Sequence, residues 1–286
     1  MRTKFRSSIL GAVLASTALV ATACPTTPGS VVTNNWTFTA NHVQVNNSQD
    51  EVCVLFCVNQ SDEAYVLNIN FRVKVGVANS ATGWVTGSRS NATGGISAGN
   101  AQNLTGGQQA TASFNNIQGL DLLDLLDANN HLEVWGSYAW AAEQDSVGIA
   151  TAANDVASIL KDAMNSTLAA ASLPSDPNLI VDLIVSNIGN AITLLASNIP
   201  LFGLGDDVLG GGLYVGIGAK GALGAILDAT AGTATIGPIA IPVVDLPPDI
   251  DRGGLYTMTA TKNFTNQVFN GADGEHAYNF SAQQIS

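Results

Sequence analysis

Tyr65-Val66-Leu67-Asn68-Ile69-Asn70-Phe71-Arg72-Val73-Lys74-Val75 is the stretch that decides the fold. Leu67, Ile69, Phe71, Val73 and Val75 share one side, and Asn68, Asn70, Arg72 and Lys74 the other. Successive side chains of a strand point to opposite faces, so the alternation predicts a half-buried antiparallel strand. Shorter runs of the same kind occur at 36–40 and 42–45, and 131–141 (HLEVWGSYAWA) is another strand candidate. The pattern returns at 255–260 and 277–280, while 76–109, crowded with Ser, Asn, Thr and Gly, reads as loops and short edge strands.

Between these strands the period changes. Ile149, Ala153, Val156, Leu160, Met164 and Leu168 recur at helical spacing and predict a helix over 146–171. Leu173-Pro174 ends it, and Asp176-Pro177 offers the acid cap and proline that open a second. Over 179–197 the polar residues Asp182, Ser186, Asn187, Asn190, Thr193 and Ser197 form one narrow stripe, so the second helix is expected to be the more deeply buried. The predicted fold is mainly β: an antiparallel β-sandwich, jelly-roll or immunoglobulin-like, with a helical hairpin inserted at about 146–198 and a Gly-rich apolar segment after it.

Upstream of the strands, MRTKFRSSILGAVLASTALVATAC has a basic start (Arg2, Lys4, Arg6), an uncharged apolar stretch from Ile9 to Val20, and small residues at Ala21 and Ala23. That is the pattern of a secretory signal peptide over 1–23, too short for a spanning helix. Cys24 stands where a lipoprotein peptidase would leave a lipidated cysteine, although Ala21 occupies a position where leucine is usual. Residues 24–31 read as a flexible tether and 32–286 as a single sandwich domain, which points to a protein that is secreted or held at the cell envelope.

Charge narrows the partners. The chain carries 10 Lys+Arg against 22 Asp+Glu, and losing the leader would leave 7 against 22. So few scattered cations exclude a surface that tracks nucleic-acid phosphates. Cys53 and Cys57 would lie about 13 Å apart along a regular strand, beyond the roughly 7 Å that a disulfide spans. A disulfide closing a short loop or turn is the reading that suits an oxidising compartment.

Three patterns imitate chemistry. Gly95-Ile96-Ser97-Ala98-Gly99 matches the nucleophile elbow G-x-S-x-G, but no apolar strand enters it and no helix leaves. Gly216-Ile217-Gly218-Ala219-Lys220-Gly221 matches the dinucleotide signature G-x-G-x-x-G, with a candidate strand at 213–215 and a candidate helix at 222–229. Without further strand–helix–strand units its glycines read as close-packing positions. Among the acids, Asp121, Asp124 and Asp127 read as one wet helix face, and Asp50, Asp62 and Glu63 as a candidate calcium site built from loops. His42, His131 and His276 are isolated in sequence and read as strand or turn residues.

The residues therefore favour an exported, non-enzymatic protein with a binding or structural role, its partner an envelope protein, a glycan or an apolar ligand. It needs no cofactor beyond a candidate calcium ion and meets the membrane only through Cys24. Two rivals remain: a calcium-dependent binding module, and a membrane-inserting protein that uses 179–244. Asp182, Asn187, Asn190, Asp206, Asp207, Lys220 and Asp228 interrupt that segment, each costly at mid-bilayer.

Overall fold

The computed structural model describes residues 31–48, 51–53, 57–59, 61–144, 150–198, 208–232, 234, 250–271 and 274–285. The leader, Cys24 and Asp50 lie outside these residues. The described chain forms two sheets and a helical layer. In the first sheet β1 (Val32–Ser48) is central, with β12 (Gly274–Ile285) and then β11 (Lys262–Gly271) on one side. On its other side β7 (Ala112–Gly119) and β6 (Ala101–Asn103) pair with successive parts of β1. The second sheet runs β10 (Ile250–Thr257), β9 (Val208–Ile217), β8 (Glu133–Glu143), β4 (Ala64–Lys74), β5 (Thr82–Thr86). Pairing is antiparallel except between β9 and β10, which are parallel, so the sandwich is mixed rather than wholly antiparallel. A small hairpin, β2 (Glu51–Cys53) and β3 (Cys57–Asn59), sets Cys53 opposite Cys57 across its ladder; its side chains lie outside the described residues. The two cysteines thus stand on paired strands rather than along one.

The period-two pattern of β4 is borne out, but its environment is not the expected one. Leu67, Ile69, Phe71 and Val73 pack in a core shared with the helices. The opposite side is wet only towards its end, at Arg72 and Lys74; the rest faces the first sheet, where Val66 joins a second core with Trp36, Phe38, Trp135, Tyr214 and Phe280. Asn68 and Asn70 are fully buried there. Burial of such amides is costly unless they are hydrogen-bonded. Asn68 Nδ2 donates to the Ala110 carbonyl (2.7 Å), and Asn70 accepts from Ser137 Oγ (2.6 Å) and donates to Thr86 Oγ1 (3.1 Å). Arg72 donates to Glu133 Oε2 through Nε (2.9 Å) and, through Nη1 and Nη2, to the carbonyls of Asn115 (2.7 Å) and Asn116 (3.0 Å), tying β4 and β8 to β7 in the other sheet.

The Gly-rich segment becomes β9, inside the second sheet. Its glycines leave room for rings: a Cβ at Gly216 would fall 2.3 Å from the Trp135 indole, and one at Gly211 2.6 Å from the Tyr138 ring. Between the sheets Phe38 and Tyr214 have ring centroids 4.9 Å apart, and Tyr214 and Phe280 5.0 Å.

Three helices cover the outer face of the second sheet: α1 (Ala150–Ser166), α2 (Ile180–Asn198) and α3 (Gly221–Ala231). The first ends at Ser166, before the expected 171, and is followed by a separate 3-10 turn, Leu168–Ala170. It lies so close to β5 that a Cβ at Gly83 would fall 2.5 Å from the Ala157 carbonyl oxygen. Each of α1 and α2 buries seven side chains among the described residues; those of α2 have no exposure, whereas Ala152, Ala157 and Ala163 of α1 keep 4–5%, so α2 is the more deeply buried, as expected. Four of the seven in α1 are alanines, Ala152, Ala153, Ala157 and Ala163, whose small size lets the helix approach the sheet. The polar stripe of α2 is exposed at Asp182, Ser186, Asn190 and Thr193. By length and composition the helical stretch Pro177–Leu195 could span a membrane, yet Ile184, Ile188 and Leu195 face the core with no exposure.

Replacing Ile184 by Asp buries an unpaired charge and is expected to cost about 4 kcal/mol or more. Lys161→Ala, on a partly exposed side chain of α1, should change stability by less than about 0.5 kcal/mol. Thermal unfolding of the two variants checks this, and equal shifts in Tm would refute the packing of α2.

Candidate functional site

The strongest concentration of buried polar chemistry lies between the sheets, at the end of β1 away from its first residue. Asp62, between β3 and β4, makes an antiparallel bridge with Ile96 through backbone bonds of 3.1 and 3.0 Å. From β12, His276 Nε2 donates to Asp62 Oδ2 at 2.7 Å, and both side chains are completely buried. Asp62 Oδ1 and His276 Nδ1 have no hydrogen-bond partner in the protein. Tyr278 stands two residues along β12; its hydroxyl donates to the Tyr65 carbonyl (3.3 Å), and its ring centroid lies 6.2 Å from that of His276. Burial drives the Tyr278 phenol well above its ordinary pKa, and the carboxylates of Asp62 and of the buried Glu143 push it further.

Asp62 was expected to share calcium with Asp50 and Glu63. Its carboxylate is instead engaged by His276, and Glu63 is only half-buried, with its carbonyl accepting from the Gln144 N–H. Among the described residues no group of three or more His, Cys, Asp or Glu is placed to hold a metal ion. His276 is thus not an isolated strand residue. The signal for it was its position: an ionisable ring at i, with Tyr278 and Phe280 at i+2 and i+4, falls on the inward side of a strand and needs a buried partner.

The G-x-G-x-x-G pattern does lie at a strand-to-helix turn. It joins β9 to α3, and β10 returns parallel beside β9. The amino end of a helix attracts an anion through its free N–H groups and dipole. Here Asp121 supplies one from within the chain, its Oδ1 accepting from the N–H groups of Leu223 (3.1 Å) and Leu122 (2.7 Å). Gly221, at φ +55°, lets that carboxylate in, since a Cβ there would fall 2.1 Å from Asp121 Oδ2. Gly218 presses on the Gln118 carbonyl, where a Cβ would come within 2.5 Å. The glycines serve packing, as their isolation in sequence suggested. In the other motif Ser97 is exposed on a loop, and its neighbour Ile96 is the residue bridged to Asp62.

Asp121, Asp124 and Asp127 are not a wet helix face. They belong to a compact turn around the 3-10 segment Asp124–Leu126. Asp124 is buried and accepts from the Asp121 N–H (2.8 Å), and Asp127 accepts from the backbone and side-chain nitrogens of Asn129. Those two bonds hold the Asp127 carboxyl below its ordinary range. Leu123 and Leu126 are exposed on this turn, together with Asp127, Ala128 and Asn129. Elsewhere a cleft of about 210 Å³ is bordered by Asp228, Leu255, Tyr256, Thr257, Thr259 and Lys262. Its carboxylate is occupied internally, as Thr257 and Thr259 donate to Asp228 at 2.8 and 2.5 Å.

Comparison of the chain with protein families, with curated proteins and with solved structures finds no match.

Two measurements follow from the buried cluster. His276→Phe leaves the Asp62 carboxylate buried without its donor and is expected to cost about 3–5 kcal/mol, whereas the double variant Asp62→Leu/His276→Phe should cost less than that single change. Denaturant titration of both variants checks it, and a double variant weaker than the single one would refute the pairing. The second concerns alkali. Burial raises the phenols of Tyr138, Tyr256 and Tyr278 in the folded state, so their stabilisation is complete below the ordinary tyrosine pKa of about 10. Above it the unfolded chain releases protons that the folded chain keeps, and stability should fall by about 1.4 kcal/mol per pH unit for each tyrosine. Phenolate absorbance from these rings should then appear together with unfolding; its gradual growth in folded protein would refute the burial.

Proposed function

We propose that this chain is an exported, non-enzymatic protein of the cell envelope, held there through Cys24 and acting as a binding or structural body. The observation that carries this reading is the order of the N-terminal sequence: a basic start, an uncharged apolar stretch, small residues, Cys24 and a short Pro- and Gly-containing tether, after which β1 begins at Val32. What supports a non-catalytic role is how the conspicuous polar groups are used. His276 is engaged with Asp62 out of reach of solvent, Asp121 caps α3, and Arg72 and Glu133 join the sheets. Each resembles a piece of a site and is spent within the fold. The commitment of Asp62 to His276 disfavours the calcium-dependent reading. Membrane insertion of 179–244 would require extracting both the core face of α2 and the interior strand β9.

Mass spectrometry of the N-terminal peptide from the envelope fraction is the direct test. A diacylglyceryl group on Cys24 is expected; an unmodified Cys24 in protein recovered from the medium would overturn the anchored reading.

A further inference from the structure

We propose that the end of the sandwich where the chain comes in from residue 31 faces a lipid bilayer, with Leu123 and Leu126 dipping into the bilayer interface. This rests on the anchored reading of Cys24 and gives that anchor a surface to act through. Large apolar side chains stand out at this end: Leu126 is 81% exposed, Leu123 54% and Val32 52%. The strand register brings them together. Val32, the first residue of β1, pairs with Gly119, immediately before the leucine turn. The turn closes where Asn130 Oδ1 accepts from Gln118 Nε2 (3.3 Å), and Gln118 pairs with Thr33. Both ends of the turn therefore sit beside the start of β1, and Ile285, also exposed, pairs with Asn35 on the opposite flank.

The exposure of these leucines is built in. Asp121 and Asp124 hold the turn from inside, bonding the N–H groups of Leu122, Leu223 and Asp121, while Asn130 Nδ2 donates to the Asp124 carbonyl (2.9 Å). Leu122 and Leu125 pack against the core. The sequence D-L-L-D-L-L-D is thus folded with Asp121 and Asp124 turned inward and Leu123, Leu126 and Asp127 outward, so that the two leucines are exposed while two of the three acids are engaged within the fold. Lys220 lies at the base of the turn, its side chain against Gly119 and its N–H donating to the Leu120 carbonyl (2.8 Å).

Reach favours the bilayer as occupant. Cys24 precedes Val31 by a stretch that spans at most roughly 25 Å, so an anchored chain would keep this end within that distance of the membrane surface. Two leucines alone do not hold a protein on a membrane; the anchor supplies affinity and the leucines orientation. A second copy of the chain is disfavoured, because the net charge is −12 and the ionised Asp127 would face its own image.

The test replaces the natural anchor. The mature chain from residue 25, carrying an N-terminal hexahistidine, is bound to phosphatidylcholine vesicles containing a nickel-chelating lipid. An environment-sensitive dye is placed, without reduction, on Leu126→Cys or, as control, on Ser97→Cys, an exposed site beside the far end of β1. Lipids bearing a quencher in the acyl chain are expected to quench the dye at 126 several-fold more than at 97, with soluble iodide showing the opposite order. Equal quenching at the two positions, or undiminished iodide access at 126 on vesicles, would overturn the proposal, including in favour of a protein partner for these leucines. Because the tether here is histidine, the result is independent of the lipid on Cys24: the mass measurement judges the anchor, and the quenching judges the surface.

Discussion

Two-sided burial of the second sheet is the constraint on which the remaining structure depends. Its inner face meets the aromatic side of the first sheet and its outer face meets three helices, so most polar groups of β4, β8 and β9 are shut off from water. Asn68, Asn70, Arg72 and Ser137 find partners within the sheet or across to the first one. Asn68 reaches the Ala110 carbonyl, Ser137 and Asn70 bond each other, and Arg72 spends its guanidinium on Glu133 and two carbonyls of β7. These bonds also fix how the sheets sit on one another, because each has a geometry that apolar contact lacks. The glycines of β9 belong to the same solution: with both faces covered, the only space for the rings of Trp135 and Tyr138 is above backbone that carries no side chain.

The alternation of 65–75 was enough to identify β4 and its apolar face, and helical spacing was enough to find α1 and α2. What it did not carry was the identity of the covering layer. A strand whose polar side is buried against another sheet reads, residue by residue, like one whose polar side is wet. β9 was legible only over 213–215, for a different reason: Leu-Gly-Gly-Gly-Leu-Tyr-Val-Gly has no alternation, since glycine occupies positions on both faces. β7 and β11 carry Ser113, Asn115, Lys262, Asn263 and Thr265 on exposed positions and resemble loops in composition. In α1 the alanines were undervalued, because their contribution is closeness of approach rather than area.

Site residues were less legible than elements. Asp62 and His276 lie 214 positions apart, so no local pattern could join them, although the inward position of His276 announced the need for a partner. The glycine motif shows the complementary difficulty. Its predicted strand–turn–helix setting is present, and the feature that changes its meaning, the carboxylate of Asp121, comes from about 100 residues earlier in the chain. A motif states what a backbone can accept; the occupant is decided by the tertiary structure.

The place of β1 has a consequence for the order in which the molecule can be assembled. It is the first strand of the chain and the middle strand of its sheet, flanked by β7 on one side and by β12, the last strand, on the other. Asn41 and Ser281, bonded through their side chains, are 240 positions apart. A chain threaded out amino end first must therefore carry Trp36, Phe38 and Val43 with an open hydrogen-bonding edge until Gly274–Ile285 arrives. Unpaired edges of that kind invite pairing with other chains, and closures over such separations are slow. β12 thus acts as the stopper of the fold, and whatever receives the emerging chain has to guard that edge until it is in place.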